Sequence, residues 1–160
     1  MEEDMAFFDS LMKKSESVSD NKKYTAALTI AALCVYPIDK NAALEMLEYL
    51  QGPKGVSAYD KQFLSERFRD KDYVPRSYFA GAAPENNYKP SEPYTVTLFE
   101  NPYSRDSINE GYLTLHVNSG GADSPRQIKL RKKPSTGQWF LWEQFLLAGI
   151  REPVSEDPWA

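Results

Sequence analysis

SGGADSPRQIKLRKKPSTGQWFLWEQ, residues 119–144, is the stretch from which the fold can be read. In its middle, RQIKLRK alternates. Ile128 and Leu130 fall on one side of an extended strand and Gln127, Lys129 and Arg131 on the other, because successive side chains of a strand point to opposite faces. PSTGQ supplies a turn, and WFLWEQF at 139–145 returns as a second strand, which makes the pair an antiparallel hairpin. The returning strand places Trp139 and Leu141 on one side and Phe140 and Trp142 on the other. The sheet therefore cannot have one wholly solvated face without exposing large rings. Glu143 interrupts this apolar run and is expected either exposed on the outer face or paired across strands with Lys129 or Arg131.

Working outward, YTVTLFE at 94–100 and GYLTLHV at 111–117 alternate in the same way, with Val96, Leu98, Leu113, Leu115 and Val117 on the side that helices would cover. About four antiparallel strands thus fill residues 94–150. The first seventy residues read as about four helices. Met5, Phe8, Leu11 and Met12 form one stripe over 2–14. An apolar helix spans about 21–36. NAALEMLEYLQ follows, capped by Asp39 or Asn41 and stopped by Gly52 and Pro53. The fourth begins at Ser57, whose spacing to Asp60 resembles a capping box, and runs to about Arg69 with Phe63, Leu64 and Phe68 as its apolar side. Residues 71–93 carry four prolines and no sustained period. Tyr73, Tyr78, Phe79 and Tyr88 make this a segment wrapped on the body rather than a flexible linker, since rings left in water forfeit free energy. The wrap is the nearest candidate to cover whichever of Trp139 and Trp142 faces away from the helices. Residues 151–160 are a tail. Helices first and strands after give an α+β fold, one domain over 1–160, with the helices packed on one face of a mostly antiparallel sheet.

Composition bounds the rest. At 160 residues and 41% hydrophobic, the chain can bury a core without staples. Its net charge of −4 repels polyanions, so no nucleic-acid partner is expected unless basic residues are concentrated in one patch. The single cysteine, Cys34, cannot form an internal disulfide and lies in an apolar run, which suits a buried, inert thiol in a reducing compartment. MEEDMAFF is acidic where a secretory signal needs positive charge, and YTAALTIAALCVY at 24–36 is too short to span a bilayer. A cytoplasmic protein without membrane contact is the expectation.

PENNYKPSEPYTV, ENPYS, SGGADSPR and LRKK…GQWFLWEQFLLAGIREP resemble a bacterial family of domains of unknown function found mainly in gut Firmicutes. The likeness covers roughly residues 70–153. It implies a small cytoplasmic protein without an assigned activity, and so no catalytic residue carries over. The order of helices then sheet, with the closing GQWFLWE strand, is also similar to the cone-shaped fold of nuclear-transport-factor-like proteins.

Catalytic chemistry finds few residues to work with. His116 is the only histidine, and no nucleophile-elbow pattern accompanies it. One His, one distant Cys and no close carboxylate cluster leave a metal without ligands, and no cofactor is expected. Two readings follow. In the first, the protein is a non-catalytic binding module that contacts a protein or a small anionic ligand. Its contact surface is the outer sheet face and the 119–126 loop, with Tyr112, His116, Lys129, Arg131 and Trp142 on the face. Gly120 and Gly121 would offer N–H groups to an anion, with Arg126 beside them. The alternative is a small enzyme with a pocket inside a curved sheet and His116 or Glu143 as acid–base group.

Overall fold

Three helices, α1 (Lys22–Val35), α2 (Lys40–Gln51) and α3 (Ala58–Arg67), precede a four-stranded sheet in the computed structural model, which describes residues 22–160. The helix expected over 2–14 lies outside the described residues. The local signals act as the sequence implies. The Asp39 side chain accepts from Ala42 N at 3.1 Å. Ser57 and Asp60 close a reciprocal capping box, each side chain accepting from the other's backbone N–H at 3.0 Å.

The strands β1 (Leu98–Phe99), β2 (Tyr112–Val117), β3 (Arg126–Lys133) and β4 (Gln138–Gln144) form an antiparallel meander in the order β1-β2-β3-β4. Leu113, Leu115, Ile128, Leu130, Trp139 and Leu141 are buried beneath α1 and α2, so the helices cover one face and the fold is α+β. Thr25 locks the layers together: its hydroxyl donates to the Trp139 carbonyl at 3.0 Å, with both groups buried. A β-bulge makes Trp142 the extra residue of β4, because Leu141 pairs with Leu130 and Glu143 with Lys129. Two residues, Trp142 and Glu143, thus oppose Lys129 alone.

Three expectations need correction. The strand expected over 94–100 shrinks to Leu98–Phe99, because its partner β2 ends at Val117 and the wrap claims the backbone upstream, Ala80 N donating to Thr95 O at 2.9 Å. Cys34 is half-buried rather than buried, since it shares the partly exposed line Tyr24, Ala27, Ala31, Cys34 along one flank of α1. The wrap does pack on the body, but its rings lie away from Trp142. The turn Val74–Tyr78 lies against α1, Tyr73 stacks on Tyr88 at 5.3 Å, the Tyr78 hydroxyl donates to Leu146 O, and that of Tyr88 to Arg151 O at 2.5 Å.

These buried phenols have a pH signature. Burial, reinforced by Tyr73 nearby, pushes the Tyr88 phenol up to about 12, and burial raises Tyr78 further. A folded-state pKa above the unfolded value of about 10 means stability that is complete below pH 10 and lost as pH rises through the folded pKa. Denaturant midpoints should therefore hold steady to about pH 10 and fall above it. Tyrosinate absorbance should show two phenols ionising only with unfolding. A midpoint indifferent to pH between 10 and 12 would contradict this burial.

Candidate functional site: a cation–aromatic face on the sheet

The outer face is decided by strand parity. Tyr112 on β2, Lys129 and Arg131 on β3 and Trp142 on β4 all point away from the helices, and register aligns them: Tyr112 opposes Arg131, and Lys129 opposes the bulge. Tyr112 and Trp142 meet edge to face at 5.8 Å. The Arg131 guanidinium lies between them, 4.7 Å from the Trp142 ring and 5.6 Å from that of Tyr112. Lys129 Nζ sits 4.9 Å over Tyr112. The negative faces of the rings hold the cations there.

A fifth residue, Lys54, arrives from far along the chain. Gly52 ends α2 at φ +55°, and a Cβ there would stand 2.4 Å from the Phe140 ring, so only glycine lets the turn press against β4. That contact carries Lys54 to the outer side, where its ammonium donates to the Trp142 carbonyl and lies 4.8 Å over the Trp142 ring. Between this turn and the β3–β4 hairpin runs a groove of about 230 Å³, floored by Phe140 and Trp142 and edged by Lys54, Arg131, Lys132 and Lys133. None of these four, nor Lys129, forms an ion pair among the described residues; the carboxylates that do pair, Glu100 and Asp123, engage Arg105 and Arg151. A second cleft of about 440 Å³ lies between α3 and the end of β4, with Leu47, Phe63 and Leu147 in its apolar wall.

The other candidate residues lie elsewhere. His116 is on the outer side but only 5% exposed, covered by the loop that follows β1. Asn101 Oδ1 accepts from Tyr103 N and Ser104 Oγ, so its amide nitrogen is the donor toward His116 Nε2, 3.2 Å away. The ring proton then sits on Nδ1, which is buried with no hydrogen-bond partner among the described residues. Phe99 packs against the ring at 5.7 Å. β3 separates His116 on β2 from Glu143 on β4, and neither the groove nor the cleft is lined by both. Glu143 itself is exposed and faces Lys129 across the strands, the register expected for a cross-strand pair, without forming an ion pair among the described residues.

The 119–126 loop belongs to the wrap. Gly120 N donates to Ser77 O at 2.8 Å and Gly121 N to Ser119 Oγ at 3.1 Å, which leaves neither N–H for an anion. Arg126 directs its guanidinium to the carbonyls of Ser124, Ala148 and Gly149. These three residues are a packing joint, separate from the cation–aromatic face. Lys54, Lys132, Lys133 and Phe140 line the groove although they were not among the candidate residues read from the sequence. The only signal for Lys54 was its place directly after the Gly52–Pro53 stop.

A helical layer on one face of an antiparallel sheet, with a cation-rich groove on the other, defines a small α+β domain whose open sheet face is its distinctive surface. The family model described as a domain of unknown function, DUF6935, matches residues 6–154, and the chain belongs to that family. No curated protein and no solved structure matches it, so the cone-fold likeness rests on element order and the closing GQWFLWE strand alone. Among the described residues no helix is long and apolar enough to cross a membrane, and no three His, Cys, Asp or Glu side chains cluster as metal ligands.

Proposed function

We propose that the outer sheet face is a capture surface for an anion, either a small ligand or an acidic segment of a partner protein, with no reaction performed on it. One observation carries this reading. Four cations, Lys54, Arg131, Lys132 and Lys133, line one groove and a fifth, Lys129, lies beside it over Tyr112; all five lack carboxylate partners among the described residues, and Tyr112 and Trp142 hold three of them in place. Unpaired like charges repel one another, so their clustering raises the free energy of the empty face and favours whatever anion neutralises it. Cation–aromatic contacts leave the N–H edges of Arg131 free to donate, and a guanidinium held by rings loses less entropy when it binds. The 119–126 loop is left out of this surface because its donors are already bonded within the fold.

Calorimetric titration with inorganic pyrophosphate and with hexaglutamate is the direct test. At least one probe should bind at low salt and weaken as salt is added, since the site is exposed. Arg131→Glu should reduce that binding at least about tenfold, because it removes one charge contact and installs a repulsion. Its melting temperature should stay near that of the parent, Arg131 being an exposed residue. Equal binding by parent and Arg131→Glu would overturn the proposal.

A further inference from the structure

We propose that this surface takes a two-part segment of a partner protein, a run of carboxylates with a few large apolar side chains about five residues away. The acids lie in the groove, and the apolar side chains enter the cleft between α3 and the end of β4. The inference rests on the capture reading above and chooses the protein segment over the small ligand.

The groove and the cleft share a wall. Gln51, Lys54, Leu141 and Trp142 line both, and at that wall the Lys54 side chain crosses from the turn after α2 to the Trp142 carbonyl. An ammonium carries three donors, of which the carbonyl takes one, so Lys54 can serve an anion at the join. Phe140 in the groove and Phe145 in the cleft stand five positions apart along β4 and the residue that follows it, a span of about 16 Å. An extended peptide covers that span with about five residues, so one short segment reaches both depressions.

The two depressions differ in what they can hold. Among the described residues, Lys54, Arg131, Lys132 and Lys133 line the groove and no carboxylate does. In the cleft, Asp60 and Glu143 stand against Arg67 and the shared Lys54, two charges of each sign, so a run of acids finds no net attraction there. What the cleft offers is apolar. Tyr59, near the start of α3, is 77% exposed and Phe145, just after β4, is 51% exposed, and both line it together with Leu47, Phe63 and Leu147. Large rings gathered on the walls of a concave site and left in water mark a place where apolar side chains of a partner dock. A small anion would fill the groove of about 230 Å³ and leave the larger cleft, about 440 Å³, unused. A segment with acids at one end and apolar side chains at the other is complementary to the whole depression.

Calorimetric titration of the full chain with three end-capped peptides, EEEEGSLLF, its reversal FLLSGEEEE and the control EEEEGSGGG, tests this directly. All three carry the same acids, and the two running orders cover both directions in which a segment can lie. At low salt the better of the first two should bind at least about tenfold more tightly than the control, a modest gain for a few apolar side chains leaving water. Tyr59→Ser/Phe145→Ser should bring that peptide and the control to nearly equal affinity, whereas Arg131→Glu should weaken both. Both variants should melt near the parent, because the replaced side chains are exposed. Equal binding of all three peptides by the parent overturns the inference and leaves the capture surface standing. So does a gain that survives Tyr59→Ser/Phe145→Ser, since the apolar side chains then sit outside the cleft. A concentration-dependent dimer in sedimentation velocity that the double variant abolishes also overturns it, by giving the cleft to a second copy of this chain. If the parent binds no peptide, and neither pyrophosphate nor hexaglutamate, the capture reading itself fails and takes this inference with it.

Discussion

Trp139→Ala should destabilise the protein by about 3–5 kcal/mol, the cost of deleting a large aromatic from a packed core, while Trp142→Ala should cost about 1 kcal/mol, the worth of its ring contacts. The two residues lie three apart on one strand and differ in what covers them. Trp139 is 6% exposed, beneath α1, with its carbonyl bonded by the buried Thr25 hydroxyl. Its removal leaves a cavity between helix and sheet that rigid elements on both sides cannot close. Trp142 is half-buried, and its neighbours are the exposed side chains Lys54 and Arg131 together with the half-buried Tyr112, which can rearrange in water. Its loss should instead weaken anion binding, because Lys54 and Arg131 lose the ring that holds them. Urea unfolding of both variants, set beside pyrophosphate titration, separates these roles. Equal destabilisation would mean that the outer face is a second core rather than an open surface.

Gly120→Ala should destabilise by about 3 kcal/mol, the upper part of the range for overpacking. A Cβ on Gly120 would stand 2.0 Å from the carbonyl oxygen of Ala82, a backbone atom that cannot swing aside as a long side chain could. The wrap would have to move away, and with it would go the bond from Gly120 N to Ser77 O and the Ser119–Ser77 hydroxyl contact at 2.8 Å. Because this joint lies apart from the cation–aromatic groove, anion affinity measured on the folded fraction should not change. Reduced affinity with unaltered stability would move the loop back into the binding surface.

Much of the fold was legible because the signals were local. The period-two alternation of 126–132 placed Ile128 and Leu130 inward and Lys129 and Arg131 outward, and the register agrees. The parity of 139–142 correctly divided its four large residues between two faces. Asp39 and Ser57 capped the helices they precede, since capping needs only residues three apart. Where the reading ran too long, at 94–100, the alternation was present but the partner strand ended, and no feature of YTVTLFE encodes the length of its neighbour.

The candidate site was half legible for the same reason. Tyr112, Lys129, Arg131 and Trp142 share a face by strand parity, which a sequence displays directly. Parity also put His116 on that face, but the loop carrying Asn101 buries it, and of the residues that read as an anion nest Gly120 bonds Ser77 of the wrap, Gly121 bonds Ser119, and Arg126 bonds the carbonyls of Ser124, Ala148 and Gly149. Lys54 joins the site across 88 positions, through a glycine turn pressed on Phe140. The sequence by itself determined which side chains each strand and helix shows to either face, because those choices follow from repeat periods of a few residues. Only the tertiary structure decided which of those faces stays open and which cations meet there. Covering a face depends on contacts between segments far apart in the chain, and their free energies are settled by packing rather than by any local pattern.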